Sequence, residues 1–252
     1  MLTITIGTHS LRNAMEKIHK VALSKTTVES IKNVCLMASE CELKISATNL
    51  EQYASTSIYA EVHTTGGFIL TETKEALKAL KFFKDDTTVI SYCKTSQSAT
   101  FSCGGKSIAI SNLISIDEFP AFPALGNITV DAEYDAGRLQ ARYKAVSYAA
   151  STDSGKPVLM GVHMHKNDIV ACDGFRIALN KDESLHIAAP LNVPIAAYKY
   201  AADIMKDKIR IQSDRKYVQL SDDTSVVISR LFDGEFINYE KILGRVDKPT
   251  KV

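Results

Sequence analysis

The strongest constraint on how this chain folds is an internal repeat of about 120 residues. Near the middle it reads Asp117-Glu118-Phe119-Pro120-Ala121-Phe122, and near the end Gly234-Glu235-Phe236-Ile237-Asn238-Tyr239. Each run has an acid, a phenylalanine and a second aromatic three residues on, and the two phenylalanines lie 117 residues apart. Upstream, the alternating run Lys44-Ile45-Ser46-Ala47-Thr48-Asn49 returns as Asp168-Ile169-Val170-Ala171-Cys172-Asp173 at an offset of 124. Two motifs recurring in one order point to two similar domains, and 252 residues are enough for each to bury a core.

The hydrophobic periods agree with a duplication. A helix is expected over 10–20, where Leu11, Met15 and Ile18 recur at helical spacing and Ser10 is placed to cap the start. Its counterpart is 136–148, with Leu139, Tyr143 and Val146. A second helix in each half covers 74–84 and 195–206. The remainder reads as strands. Leu2, Ile4 and Ile6 alternate with threonines, Gly104-Gly105 joins two short runs, and the segment from Lys208 to Ser229 is a meander broken at Ser213-Asp214 and Ser221-Asp222-Asp223. The expected class is α+β, with two tandem domains, each two helices packed on antiparallel sheets. The Pro/Gly-rich stretch from Pro120 to Asn127 separates domain 1 (1–122) from domain 2 (128–245), leaving 246–252 as a tail or the start of another domain.

Net charge conceals how the charge is distributed. The whole chain has 30 Lys+Arg against 29 Asp+Glu, a formal +1 that argues against a polyanionic partner. The four expected helices, however, hold 12 basic and 3 acidic residues, or +9, and everything else is −8. Lys74, Lys78 and Lys81 fall at i, i+4 and i+7, and Arg138 and Arg142 at i, i+4, so each set makes one stripe opposite the apolar one. Such a surface suits phosphates and binds without sequence preference.

Other classes are excluded. No apolar run approaches the ~20 residues of a membrane span, and MLTITIGTHS lacks the regions of a signal peptide, so a cytoplasmic location is expected with no membrane partner. Five cysteines without a CxxC pair suggest reduced packing residues, with no metal or cofactor. Gly104-Gly105-Lys106-Ser107 lacks both the first glycine and the following helix of a phosphate loop. His163 and His165 share a strand face without a third ligand. Asp173 and His186 with Ser151 or Cys172 lack any nucleophile signature, and Asp173-Gly174 fits a turn.

Three further segments carry a family resemblance: Gly155-Lys156-Pro157-Val158-Leu159-Met160-Gly161-Val162, Ala171-Cys172-Asp173-Gly174-Phe175-Arg176-Ile177-Ala178 and Arg230-Leu231-Phe232-Asp233 leading into the second Phe-x-x-aromatic motif. Together they resemble the second domain of the bacterial sliding clamp, the beta subunit of DNA polymerase III. Residues 1–122 are similar to its first domain, best at Ile45-Ser46-Ala47-Thr48-Asn49-Leu50-Glu51. The resemblance implies a non-catalytic processivity factor: a homo-oligomeric ring of six such domains, helices inward around duplex DNA, tethering a replicative polymerase. DNA contacts would come from Lys25, Lys74, Lys78, Lys81, Arg138, Arg142 and Lys199. A pocket for short peptide motifs of polymerase and clamp-loader subunits would use Lys156, Leu159, Cys172, Gly174, Phe175, Arg176, Ile177, Ile237, Lys241 and Ile242. Phe175 stands where many members have His, and Ile237 where they have Pro, which implies an altered pocket shape. Family chains carry three domains and this sequence covers two, so the expectations are a longer chain, or three two-domain chains closing head to tail. A clamp-like peptide-binding module that forms no ring is the alternative.

Overall fold

The computed structural model describes residues 1–23 and 25–244. The stretch 246–252, expected as a tail or the start of a third domain, lies outside the described residues. In chain order the first half forms β1 (Leu2–Gly7), α1 (Thr8–His19), α2 (Glu29–Lys32), β2 (Val34–Ser39), β3 (Glu42–Thr48), β4 (Gln52–Val62), β5 (Gly66–Leu70), α3 (Thr73–Phe82), β6 (Thr87–Cys93), β7 (Ser98–Cys103), β8 (Lys106–Ile110) and β9 (Ile114–Ser115). The second half forms β10 (Val130–Asp135), α4 (Ala136–Ser147), β11 (Gly161–Lys166), β12 (Asp168–Cys172), β13 (Ile177–Lys181), β14 (Ile187–Pro194), α5 (Ile195–Ile204), β15 (Lys208–Ser213), β16 (Tyr217–Ser221), β17 (Ser225–Arg230) and α6 (Tyr239–Leu243). The contacts divide the molecule into one compact unit of Met1–Pro123 with Asp223–Val227 and another of Ala124–Asp222 with the chain from Ile228 on. Among the described residues no helix is long and apolar enough to cross a membrane.

The duplication is one of structure as well as sequence. β1 and β10 have six residues each, α1 and α4 twelve, and α3 and α5 ten. In the first unit β1 lies between β4 and β6, and β7 and β8 follow beyond β6. The eleven-residue β4 also pairs with β3, which continues through β2 to β5. The second unit repeats the plan with β10, β15 and β16 in one antiparallel series and β13, β12, β11 and β14 in another. All these pairings are antiparallel, as hairpin connections of a few residues allow.

Each helix exists because it has a face to bury. Leu11, Ala14, Met15 and Ile18 of α1 recur at helical spacing and are buried, as are Leu139, Tyr143 and Val146 of α4. β1 alternates by the same logic at period two, with Leu2, Ile4 and Ile6 inward. Between β7 and β8, Gly104 and Gly105 both take positive φ, 55° and 77°, the left-handed pair that a tight hairpin turn requires.

Two sequence expectations are corrected. Ser10 does not cap α1: the helix opens at Thr8, with Gly7 in the cap position and no side-chain cap bond. A tertiary contact overrides the local signal, because Thr8 N–H donates to Asp86 O and its Oγ1 meets Thr88 Oγ1, both at 2.8 Å. At the other ends, Phe83 and Met205 are already extended, so α3 and α5 stop at Phe82 and Ile204. α1 ends at His19, so Lys20 as well as Lys84 and Lys206 falls outside the four long helices. These retain nine basic and three acidic residues, or +6, with −5 elsewhere, so the segregation is smaller than expected and keeps its sign.

Candidate nucleic-acid interface and peptide cleft

In each unit the two long helices pack side by side. The side-by-side packing in the first unit carries an ion pair, Lys81 Nζ of α3 to Glu16 Oε1 of α1 at 3.6 Å. In the second, the rings of Tyr143 of α4 and Tyr198 of α5 stack at 4.7 Å. The buried stripe of α3 is Thr73, Ala76 and Leu80, which leaves Lys74, Lys78 and Lys81 exposed on the other side. Lys78 Nζ is 2.7 Å from Glu75 Oε1, one turn earlier. Lys199 is exposed on α5, and Lys25 is exposed in the loop after α1.

The arginines of α4 differ from these lysines. Asp182, directly after β13, is only 4% exposed. Its Oδ2 accepts from Tyr134 Oη at 2.5 Å and Arg142 Nε at 3.0 Å, with Arg138 Nη2 at 3.6 Å. Its Oδ1 accepts from Ser184 N at 3.0 Å and Ser184 Oγ at 2.7 Å. The Tyr134 hydroxyl first, then Ser184 and Arg142, hold this carboxyl well below the usual carboxylate range, so it is fully charged at neutral pH. Asp135 caps the same helix, accepting from Arg138 N at 2.6 Å. Sequence reasoning missed Asp182, because the partner of Arg142 sits 40 residues away and only the fold brings it there.

The residues expected in the peptide cleft divide by exposure. Leu159 and Cys172 are buried at 7% and 2%, while Lys156, Gly174, Phe175, Arg176, Lys241 and Ile242 are exposed and Ile177 and Ile237 half-buried. The turn from β12 to β13 is built on Asp173, whose Oδ1 accepts from the backbone N–H of Phe175 and of Arg176. Gly174 takes φ 95° there, which side chains disfavour. The turn leaves Phe175 fully exposed and lays the Arg176 guanidinium 5.8 Å from the ring centre of Tyr148, a half-exposed residue at the end of α4. Tyr148 was not anticipated; its only sequence signal is an aromatic side chain one residue past an amphipathic helix.

The repeated Phe-x-x-aromatic motif turns out to be an anchor. Phe236 stacks on the buried His163 ring at 4.5 Å, and Tyr239 Oη donates to the buried Asp168 Oδ2 at 2.9 Å. His163 Nδ1 and Asn192 Oδ1 are 2.7 Å apart, and Asn192 Nδ2 donates to Gly234 O at 2.9 Å. Burial, partly opposed by the Asn192 bond, holds His163 below the ordinary histidine value. Ile237, Lys241 and Ile242 thus ride on a pinned segment. A cavity of about 560 Å³ lies against it, lined by His163, His165, Arg215, Phe236 and Tyr239 among others, and contains none of the ten expected peptide contacts.

Comparison with known proteins converges on one family. The profile described as "DNA polymerase III beta subunit, N-terminal domain" matches residues 2–135, and that described as its central domain matches 135–238. The beta sliding clamp of Rickettsia bellii is 21% identical over 96% of this chain and 66% of its own length, and that of Chlamydia trachomatis 20% identical over 96% and 60%. The chain thus spans about two thirds of these curated relatives. Crystal structures of sliding clamps share its fold. That from Caulobacter crescentus superposes with a TM-score of 0.89 at 18% identity, covering 98% of this chain and 70% of the other. The DNA polymerase III beta subunit of Thermotoga maritima gives 0.82 at 23%, covering 96% and 68%.

Proposed function

The chain belongs to the family of the DNA polymerase III beta subunit, and on that premise we propose that it works as a DNA sliding clamp, a non-catalytic tether that holds a polymerase on duplex DNA. The observation that carries this reading is the charge on the paired helices: each unit turns an apolar stripe inward and a cationic stripe outward, in a chain whose remaining residues are net acidic. Exposed lysines and arginines spaced along helices suit the regular phosphate array of a duplex.

Ring formation with further copies follows from the same reading. Among the described residues β8 pairs with β7 alone, and Phe82 at the end of the neighbouring α3 is 70% exposed. An open strand edge beside an exposed phenylalanine is chemistry that a second chain satisfies by adding a strand. Partners reach the tether through short peptides seated near Phe175, Arg176, Ile177, Ile237 and Ile242, an apolar cleft with Lys156, Arg176 and Lys241 at its rim. The Arg176–Tyr148 pair gives that rim a flat, cationic wall.

The test uses lysines, since the α4 arginines double as partners of a buried acid. Lys74→Glu, Lys78→Glu and Lys199→Glu combined are expected to weaken binding of a fluorescent duplex by at least tenfold at moderate salt, and to flatten the salt dependence by about 0.9 per lost phosphate contact. Unchanged affinity and slope would remove the DNA role. Light scattering at micromolar concentration separates the ring from the alternative, since a stable monomer leaves only a peptide-binding module.

A further inference from the structure

The cations of the two units are compensated in different ways. On α3, Lys78 and Lys81 pair with Glu75 and Glu16, whose side chains are 51% and 41% exposed and free to swing into water when a phosphate arrives. On α4, Arg138 and Arg142 share Asp182, whose side chain is 3% exposed and fixed by Tyr134 and Ser184. A buried carboxylate held by three hydroxyl and amide donors has no solvated rotamer to retreat to. The Arg138–Arg142–Asp182 trio therefore presents a net +1 where the helix surface alone reads +2. Arg142 commits its Nε to Asp182 at 3.0 Å, and its side chain is 37% exposed.

We propose that Asp182 is a positioning residue that attenuates the grip of α4 on the phosphate backbone. Resting on the DNA-clamp reading, it extends that reading by assigning strength as well as sign to the helix face. A tether that must slide gains from contacts that orient the duplex yet release it at each step. Fixing Arg142 through its Nε, with Arg138 Nη2 held 3.6 Å from the same oxygen, supplies the orientation, and the buried negative charge shortens the hold.

The full chain, a fluorescein-labelled duplex and anisotropy over a salt series test this. Asp182→Asn, which keeps a carbonyl acceptor and removes the charge, is expected to tighten binding about fivefold and steepen the salt slope by about one counterion. Tyr134→Phe, which strips a hydrogen bond from the same oxygen and leaves the charge, is expected to stay within about twofold of wild type on the same series. Arg142→Gln alone is expected to weaken binding, and Asp182→Asn with Arg142→Gln, which removes both members and keeps the net charge, to restore it toward wild type. The double variant also serves if Asp182→Asn alone does not fold. A folded Asp182→Asn that binds no tighter than wild type, or a double variant as weak as Arg142→Gln alone, overturns the proposal and leaves the DNA reading standing. A wild-type chain with no salt-dependent duplex binding overturns both.

Discussion

The two units close their sheets at the same place by opposite chemistry. In the first, Phe122 meets Tyr53 edge-on at 5.3 Å with Lys44 Nζ 5.8 Å from its ring centre. In the second, the aromatic 117 residues on is Tyr239, and the residue 124 after Lys44 is Asp168; the two are joined by a buried hydrogen bond. One duplicated backbone thus carries a cation over a ring in one copy and a hydroxyl on a carboxylate in the other. Apolar and cation–π contacts tolerate drift, whereas a buried hydrogen bond accepts one geometry. The second unit is the one whose closing segment bears proposed peptide contacts, and it is the one pinned by directional bonds.

That contrast can be broken by mutation. Tyr239→Ala removes a buried ring and the hydrogen bond to Asp168 Oδ2, leaving that acid only its 3.5 Å ion pair with Lys181, and is expected to cost about 3 kcal/mol in urea unfolding, against about 1 kcal/mol for Phe122→Ala at its half-buried site. Equal losses would erase the distinction. Tyr239→Phe isolates the bond itself and is expected to cost between about 1 and 2 kcal/mol. Acid sharpens the comparison further. His19 in the first unit and His163 in the second are both held below 6.5 by burial, with Lys74 adding to the effect at His19. The unfolded chain then takes up protons before the folded one. Stability is complete above that value and declines as the pH falls below it. A melting temperature level from about pH 8 to 7 and lower by about pH 5.5 is expected, with His163→Gln flattening the slope. The smallest change is Lys44→Met, expected to cost under about 1 kcal/mol because a half-exposed cation–π pair is weak. A larger loss would mean that Lys44 anchors its segment as firmly as Asp168 does.

Much of this was legible in the sequence because it is local. The alternation of Leu2, Ile4 and Ile6, the spacing of Leu139, Tyr143 and Val146, and the recurring Phe-x-x-aromatic each depend on residues a few positions apart. What the sequence hid depends on register between distant strands. Ser10 lies inside α1, not at its cap, because the helix opens two residues earlier at Thr8, which Thr88 holds from across the sheet, and the arginine stripe concealed Asp182 because β13 delivers that acid from elsewhere in the chain. The Asp173 turn was expected from Asp-Gly, yet the fully exposed Phe175 it lifts out depends on what does not pack above it.

The edge of β8, which among the described residues pairs with β7 alone, has a cost that bears on how the chain is made and stored. A row of unpaired backbone groups templates uncontrolled stacking as readily as orderly assembly. Several features of this strand act as gatekeepers against that. It is five residues long, it enters from a tight glycine turn, and it begins with exposed Lys106 and Ser107. Replacing Lys106 and Ser107 with β-branched apolar residues is expected to leave the fold intact and to favour amyloid-like precipitation, readable as thioflavin fluorescence on storage.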